Sequence, residues 1–208
     1  MEILPERTVE RLSHYRRVLS KLLEINKEYI YSHEIAKLLH ITPVQVRRDL
    51  MLIGHSGTLR KGYRIRELIS LIGTIIDNPE KYKVAIIGFG KLGHALLNYL
   101  TENESNLHLV ALFDTNPEKI GTTNNNVICY SVDRIPEIIK RYNIDMALLT
   151  LPPQFAQRTA NQLVESGVKG IINYTSSILS VEGAFLEQYD MIASLEKVAY
   201  FTKPEFYL

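Results

Sequence analysis

The chain has 208 residues, of which 46% are hydrophobic and 23% are charged, and its formal net charge at pH 7 is +1. This length allows one or two domains, and the composition is that of a globular protein, not of a disordered or collagen-like one. No run approaches 18 apolar residues and the first ten residues contain no apolar signal core, so we expect a cytoplasmic protein without a membrane span. The single cysteine, Cys129, excludes an internal disulfide, and its apolar neighbours predict a buried thiol without a role.

Charge is distributed unevenly along the chain. The first 82 residues carry a small excess of basic over acidic side chains, and the remainder carries a small acidic excess. An asymmetry of this size supports contact between the N-terminal part and phosphate groups, but it does not establish nucleic-acid binding by itself.

Three predicted helices open the chain, and the second and third form a helix-turn-helix. Apolar residues recur at helical spacing over residues 5–24. A short helix begins at Ser32, and a third begins after Thr42, a good N-cap, and ends near Gly54. The tight turn at residues 40–41 between the last two helices is typical of a helix-turn-helix.

The third helix has one face that could read DNA bases. Val46, Leu50 and Ile53 should pack inward, which leaves the opposite face in solvent. Arg can bind guanine, Gln can bind adenine, and a small apolar side chain can touch a thymine methyl group. We therefore predict a recognition helix; the alternative is an ordinary solvated face with two arginines. The predicted DNA contacts are Val44, Gln45, Arg47 and Arg48 on this helix, Arg16 on the first helix, and Arg60, Lys61 and Tyr63 beyond it.

A small β-wing is predicted after the recognition helix. Residues 54–63 contain three glycines around two basic residues, and such a wing could reach a phosphate or the adjacent minor groove. An amphipathic helix over residues 66–77 and a turn at residues 78–80 follow. We place the domain boundary at this turn, between a winged helix-turn-helix DNA-binding domain, 1–80, and a second domain, 81–208.

The second domain begins with the pattern of a dinucleotide-binding unit. An apolar run over residues 84–87 leads into Gly88, Phe89, Gly90, Lys91, Leu92 and Gly93, after which apolar residues continue at helical spacing. In such a unit the first glycine permits the turn, the second lets a pyrophosphate approach the backbone, and the third lets the helix pack on the strand. A lone glycine triplet is a weak signal, so its context has to support the prediction.

A second predicted strand, residues 107–114, ends in Asp114. A carboxylate at this position can accept hydrogen bonds from both hydroxyls of an adenosine ribose and would repel a 2′-phosphate. We therefore predict NADH and NAD⁺ as cofactors in preference to NADPH and NADP⁺, particularly since Thr115 and Asn116 follow in place of an Arg. The alternative is a phosphate-free sheet in which Asp114 only caps the end of a strand.

Strands and helices alternate through the rest of the domain, which predicts an α/β fold with a Rossmann-like doubly wound parallel sheet. We expect strands over 127–130, 145–151 and 169–174, helices over 132–142 and 154–166, and a short C-terminal helix over 195–201 that ends before Pro204. Thr150, Pro152, Asn173 and Tyr174 should then lie at the same edge of the sheet as the glycine loop.

Catalytic groups do not accompany the predicted cofactor site. All six histidines lie at or before His108, and neither a Tyr-x-x-x-Lys motif, a Gly-x-Ser-x-Gly motif nor a Cys/His cluster at metal-ligand spacing occurs. We predict no catalytic residue and no metal site, which favours a sensor over an enzyme. Two alternatives stay open: an NAD-dependent oxidoreductase with an N-terminal regulatory domain, and a regulator that binds coenzyme A or another nucleotide.

Taken together, these residues resemble the Rex family of redox-sensing transcriptional repressors over nearly the whole chain. The resemblance rests on Arg11-Leu12-x-x-Tyr15, residues 45–50 (Gln-Val-Arg-Arg-Asp-Leu), the glycines from Gly54 to Gly62-Tyr63, residues 88–93, Phe113-Asp114-x-x-Pro117-x-Lys119-Ile120-Gly121, Ala156-Gln157, and residues 167–173. It implies a homodimer that binds operator DNA through winged helices, binds NADH and NAD⁺ in Rossmann domains, and exchanges a C-terminal helix between subunits. NADH would release the DNA and NAD⁺ would permit binding.

The resemblance also implies a role for Met191, which follows Asp190. An apolar side chain at this position of one subunit enters the nicotinamide pocket of the other. The chain departs from the family pattern at residues 173–176, where Asn-Tyr-Thr-Ser replaces the usual Asn-Phe-Ala-Pro. It also departs from the pattern just after the recognition helix and in the wing.

Overall fold

The computed structural model describes residues 3–58, 61–77, 80–102 and 106–206, and the chain divides into two compact units, Met1–Pro79 and Glu80–Leu208. The first unit is mainly helical. Its elements are α1 (Glu6–Glu24), β1 (Tyr29–Ile30), α2 (Ser32–Leu39), α3 (Pro43–Leu52), β2 (Tyr63–Arg64) and α4 (Ile65–Ile76). The apolar faces of the four helices enclose one core, in which Val46 and Leu50 of α3 are buried.

Helices α2 and α3 form the predicted helix-turn-helix. Helix α2 ends at Leu39 and is capped by His40, whose φ of 53° is left-handed and turns the chain. Helix α3 begins as predicted, because the Thr42 hydroxyl accepts a hydrogen bond from Gln45 N (3.2 Å) and proline occupies the first turn. Val46 and Leu50 are buried in the core, as expected, so the opposite face of α3 lies in solvent.

The wing is a short antiparallel hairpin. Thr58 and Gly62 exchange two backbone hydrogen bonds of 2.8 and 2.9 Å, and Ile30 of β1 pairs with Tyr63 of β2. Gly62 is needed here, because its φ is +71° and a Cβ would lie 2.5 Å from the Ile30 carbonyl oxygen. The predicted DNA contact Arg60 lies outside the described residues.

The second unit is a seven-stranded sheet with helices on both faces. Its elements are β3 (Tyr82–Ile87), α5 (Lys91–Glu102), β4 (Leu107–Asp114), β5 (Thr123–Asn124), β6 (Val127–Ser131), α6 (Ile135–Tyr142), β7 (Met146–Leu149), α7 (Pro153–Glu165), β8 (Gly170–Asn173), β9 (Phe185–Gln188) and α8 (Met191–Phe201). The strand order is β5-β6-β4-β3-β7-β8-β9, and all neighbours are parallel except β5 and β6. The chain order reverses on the two sides of β3, which is the switch point where such sheets bind ligands.

The two faces of the sheet have separate cores. Ala85 and Ile87 face α6 and α7, whereas Val84 and Ile86 face α5, as the two-residue period of a strand requires. Cys129 is buried in the second of these cores, as predicted. None of the helices in the described ranges is long and apolar enough to cross a membrane.

The second unit differs from the prediction in the bounds of two helices and in two strands, β5 and β9, that were not predicted. The helix expected over 132–142 is a 3₁₀ turn, Val132–Arg134, followed by α6. Strand β9 was not expected. Helix α8 begins four residues earlier than expected, because the Asp190 carboxylate accepts a hydrogen bond from Ala193 N (3.0 Å) and caps the helix at Met191.

Candidate cofactor site and nucleic-acid interface

The glycine loop between β3 and α5 leaves open space beside Gly90. A Cβ on Gly88, whose φ is +96°, would lie 2.8 Å from Leu151 N, and a Cβ on Gly93 would collide with the Gly88 carbonyl oxygen. A Cβ on Gly90 would instead meet no atom within 4 Å. The first and third glycines therefore serve the turn and the packing of α5, while the second leaves the backbone accessible.

Helix α5 directs its N-terminus at this open space. Its first backbone hydrogen bond joins His94 N to the Gly90 carbonyl oxygen (3.0 Å), so the N–H groups of residues 91–93 have no partner within the helix. The Thr150 hydroxyl braces the loop from β7 by donating to the Gly88 carbonyl oxygen (2.6 Å). Backbone donors and the helix dipole together favour an anion such as a pyrophosphate here.

Asp114 lies at the end of β4 and organises the loop. Its carboxylate accepts hydrogen bonds from Phe89 N (2.9 Å), Asn116 N (2.8 Å) and Lys119 Nζ (3.0 Å). Burial raises the pKa of Asp114, but these hydrogen bonds and the Lys119 charge outweigh it, so the pKa lies below its ordinary value. The carboxylate is ionised and can accept further hydrogen bonds, in addition to capping the strand as the alternative interpretation held.

A cavity of about 740 Å³ opens at this edge of the sheet. Five of the predicted cofactor residues line it: Gly88, Gly90, Asp114, Thr150 and Pro152. The other wall was not predicted from the sequence; it consists of Val132, Asp133 and Ile135 after β6 and of Phe155, Arg158, Thr159 and Gln162 on α7. The helical spacing of Phe155, Arg158 and Gln162 just after a strand end was the signal that could have indicated this wall.

Two other predicted cofactor residues, Phe89 and Asn173, are not among the residues that line this cavity. The Phe89 side chain is only 1% exposed and stacks on His94, with ring centroids 3.7 Å apart. The Asn173 amide is buried and donates to the Ser177 carbonyl oxygen (2.7 Å) and Gln188 Oε1 (2.6 Å). Both side chains hold loops in place, and the predicted cofactor contacts of Phe89 and Asn173 stay predictions.

Four more predicted residues do not line the cavity, but none of them is buried. Lys91 and Leu92 open α5, where their backbone faces the loop. Tyr174 packs against Tyr189, with ring centroids 5.3 Å apart, and burial raises its pKa. Met191 is the exposed first residue of α8.

A second cavity, of about 710 Å³, lies at the amino ends of the strands, between Lys83, Leu107 and Asn126 among others. Parallel sheets of this type bind ligands at the carboxyl ends, so the first cavity is the candidate site. Among the described residues, no three His, Cys, Asp or Glu side chains are grouped so as to hold a metal ion. Burial raises the pKa of Cys129 to about 11, which leaves its thiol protonated and unreactive.

The exposed face of α3 is the candidate DNA-reading surface. Val44, Met51 and Leu52 are exposed apolar side chains, and Arg47 and Arg48 are exposed beside them. Arg47 Nη1 donates to Ser32 Oγ (3.2 Å) at the start of α2. A helix face with two cations and exposed apolar side chains suits the edges of base pairs.

A buried carboxylate fixes α3 on α1. Asp49 is fully buried and accepts hydrogen bonds from Arg11, from the Tyr15 hydroxyl (2.7 Å) and from Gln45 Nε2 (2.9 Å). Burial raises the pKa of Asp49, but the hydrogen bonds from Arg11, Tyr15 and Gln45 outweigh it and lower the pKa below its ordinary value. Gln45, predicted to read adenine, thus already uses one amide donor inside the protein.

Other predicted DNA contacts differ in accessibility. Lys61 is exposed on the wing, and its ammonium lies 5.5 Å from the centre of the Tyr29 ring. Arg16 Nη1 contacts both carboxylate oxygens of Asp77, at 2.7 and 2.6 Å, and is thereby paired within the unit. Tyr63 is only 6% exposed and packs in the core, and its contact with DNA stays a prediction.

Known proteins are similar to both units of the chain. The family model described as "Putative DNA-binding protein N-terminus" matches residues 3–50, and the one described as "CoA binding domain" matches residues 79–177. The redox-sensing transcriptional repressor Rex of Limosilactobacillus reuteri (strain DSM 20016) is 34% identical over 201 residues, which cover 96% of this chain and 94% of that protein. The chain belongs to the Rex family.

Solved Rex structures have the same fold. The Rex-family repressor RSP in complex with β-NAD⁺ and operator DNA is 32% identical, with a TM-score of 0.90 over 99% of this chain and 95% of that one. RSP in complex with β-NADH gives a TM-score of 0.86 over 99% and 97% of the two chains. The resemblance to Rex and the predicted fold class are confirmed.

Proposed function

We propose that this protein is a redox-sensing transcriptional repressor that binds operator DNA as a homodimer and is released by NADH. One observation carries the proposal: a single chain combines a glycine loop that is open at Gly90 and adjoins the ionised Asp114 with a helix, α3, whose outer face is exposed. The repressor RSP, to which it is similar, forms complexes with β-NAD⁺ and operator DNA and with β-NADH. We propose the cytoplasm as the compartment, since operator DNA is accessible there.

The residues of the 740 Å³ cavity fit an adenine dinucleotide. The backbone N–H groups of Lys91 and Leu92 would bind the pyrophosphate over Gly90, and Asp114 would accept hydrogen bonds from the adenosine ribose. The nicotinamide half would lie on the β7–β8 side, near Thr150, Pro152 and Tyr174. Nicotinamide supplies the redox signal, because its ring carries a positive charge as NAD⁺ and none as NADH.

The apolar exposure of α8 supports the homodimer. No residue of α8 is buried, although Ile192, Leu195 and Val198 are large apolar side chains on it. A helix of this composition gains stability only when a partner covers it, and a second copy of the chain is the proposed partner. An exchanged α8 would also bring Met191 to the other subunit's nicotinamide site.

A dimer explains how a small signal could release DNA. Two recognition helices engage half-sites only when they lie about one helical turn of DNA apart, so a small subunit rotation would disengage one of them. To shift this equilibrium from 1:99 to 99:1, NADH must favour the released state by about 5.5 kcal/mol, which two sites per dimer could share.

A regulator is proposed and not an oxidoreductase. The carboxylates that line the cavity, Asp114 at the end of β4 and Asp133 just after β6, lie on the side of β3 away from β7. They therefore lie on the adenosine side, where neither could exchange a proton with a substrate beside the nicotinamide.

The test is operator affinity with and without cofactor. DNA selected from a random library by the purified protein would be labelled, and its affinity measured by fluorescence anisotropy with NADH and with NAD⁺. We expect NAD⁺ to permit binding and NADH to weaken it. An affinity unchanged by NADH up to millimolar concentration would refute the sensing function.

A coenzyme A regulator is the second candidate, favoured by the "CoA binding domain" match over residues 79–177. Thermal unfolding with each ligand separates the two candidates, because a ligand at 100 times its Kd stabilises by about 2.7 kcal/mol. Stabilisation by coenzyme A without stabilisation by NADH would select the second candidate.

A further inference from the structure

The ammonium group of Lys119 lies between the carboxylate of Asp114 and the glycine loop. Lys119 Nζ is 3.0 Å from Asp114 Oδ2 and 2.8 Å from the Phe89 carbonyl oxygen. Its backbone is held as well, because Lys119 N donates to the Asn116 carbonyl oxygen (3.0 Å) in the turn after β4. The cation therefore has a fixed position at the group proposed to bind the ribose.

This geometry changes the charge expected at the ribose site. The residues that directly follow Asp114 offer no cation, which predicted repulsion of a 2′-phosphate. The turn nevertheless brings a cation from five residues further along into contact with the carboxylate. The Asp114 side chain is 12% exposed and that of Lys119 is 33% exposed, so the pair is incompletely screened by water.

We propose that Lys119 is a specificity-determining residue at the adenosine ribose, where it offsets the charge of Asp114 and limits discrimination against a 2′-phosphate. The proposal rests on the proposed binding of NADH. A lone carboxylate would repel a dianionic phosphate, whereas a carboxylate paired with an ammonium presents almost no net charge. The ammonium also carries protons that it could donate to the ribose 2′ substituent.

The proposal predicts how substitutions change the ratio of the affinities for NADPH and NADH. In the Lys119→Met variant Asp114 stays charged but loses its cation, so the Kd for NADPH divided by the Kd for NADH should rise by about tenfold, the size of one opposite charge at short range. Lys119→Arg keeps the cation and should leave the ratio near that of the wild type. Asp114→Asn removes the negative charge and should lower the ratio.

Calorimetric titration of the full chain with NADH and with NADPH measures both constants. If the Lys119 side chain only holds the turn together, Lys119→Met will weaken both ligands in parallel and leave the ratio unchanged, which would overturn the proposal. Should Lys119→Met fail to fold, Lys119→Gln keeps a hydrogen-bond donor without the charge, and the same rise in the ratio is expected.

The same titrations distinguish a failure of the proposed function from a failure of the inference about Lys119. If the wild-type protein binds neither NADH nor NADPH, the sensing function is wrong and the ratio does not exist. If it binds NADH and the ratio is the same in wild type, Lys119→Met and Lys119→Gln, only the inference about Lys119 is wrong. In 1 M salt the difference in the Kd ratio between wild type and Lys119→Met should become smaller, since salt screens charges and does not alter the geometry of the loop.

Discussion

Arg11 binds the buried Asp49 through two hydrogen bonds, from Nε to Oδ2 at 2.6 Å and from Nη2 to Oδ1 at 2.8 Å. This paired geometry is the strongest form of an Arg–carboxylate contact. It connects α1 to the middle of α3, so the helix proposed to read DNA is fixed by a residue that does not itself touch the reading face. The Arg side chain is 23% exposed, whereas the carboxylate is fully buried.

Replacing Asp49 by Asn should destabilise the first unit. The variant leaves the Arg11 charge without its partner, and the loss of one member of a mostly buried pair costs about 2 to 4 kcal/mol, reduced here because Arg11 keeps some contact with water. Urea unfolding followed by circular dichroism measures the change. Glu10→Gln, an exposed change on the same α1, should alter the free energy of unfolding by less than about 0.5 kcal/mol.

Acid should remove the same stabilisation in the wild type. The pKa of Asp49 is lower in the folded state than its ordinary value, so its contribution is present above the ordinary carboxyl pKa of about 3.9 and is lost as the pH falls below it. Asp49→Asn cannot titrate at this position. The stability gap between wild type and variant should therefore narrow below pH 4 in urea unfolding; a constant gap would contradict the assignment.

Arg48 and Lys61 should contribute differently to DNA binding. Arg48 is exposed on the reading face of α3, so Arg48→Ala should cost about 1 to 3 kcal/mol and relax specificity at one base pair. Lys61 is exposed on the wing, so Lys61→Ala should weaken binding to all sequences and reduce the salt slope by about 1. Anisotropy titrations on matched and mismatched operators at several salt concentrations measure both. Equal behaviour of the two variants would refute this division of roles.

Two alanine substitutions in the glycine loop should separate binding from folding. Gly90→Ala places a methyl group in open space, so the melting temperature should not fall, while NADH binding should weaken about tenfold or more because the methyl group occupies the approach of the pyrophosphate. Gly93→Ala forces a methyl group against the Gly88 carbonyl oxygen and should destabilise the protein by about 1 to 3 kcal/mol. Thermal unfolding and NADH calorimetry on both variants test the pair. An unchanged affinity of Gly90→Ala for NADH would contradict the placement of the pyrophosphate beside Gly90.

Helix α8 should control the oligomeric state. Leu195 is 64% exposed in the single chain, so Leu195→Glu should not disturb the fold of one subunit but should place a charge in the proposed dimer contact. We expect the variant to sediment as a monomer and the exposed control Glu196→Gln to sediment as a dimer. A monomeric wild type, or a Leu195→Glu dimer, would contradict the proposed exchange of α8.

Local signals in the sequence were sufficient for the elements that surround both sites. The start of α3 followed from the capping chemistry of Thr42 and Pro43, and β4 followed from an uninterrupted apolar run that ends at Asp114. The edge strand β9 was missed because Phe185–Gln188 is mostly exposed and lacks the apolar pattern of the inner strands. The two-residue strand β1 is too short to show any period.

The contacts that define the sites could not be predicted from local signals. Arg11 reaches Asp49 across 38 positions of sequence, and nothing near either residue indicates the other. The pairing of Lys119 with Asp114 depends on how the turn after β4 folds back on the loop. The burial of Tyr63 and the pairing of Arg16 with Asp77 likewise appear only when the helices are packed.

The inaccessibility of Cys129 bears on which kind of redox change the protein can report. Its sulfur is enclosed in the core beneath α5, and its pKa of about 11 keeps it as a neutral thiol at cellular pH. Hydrogen peroxide attacks thiolates at the surface, so this chain offers such an oxidant no target at its only cysteine. A repressor built in this way would take its redox signal through the proposed nicotinamide site and not through this thiol.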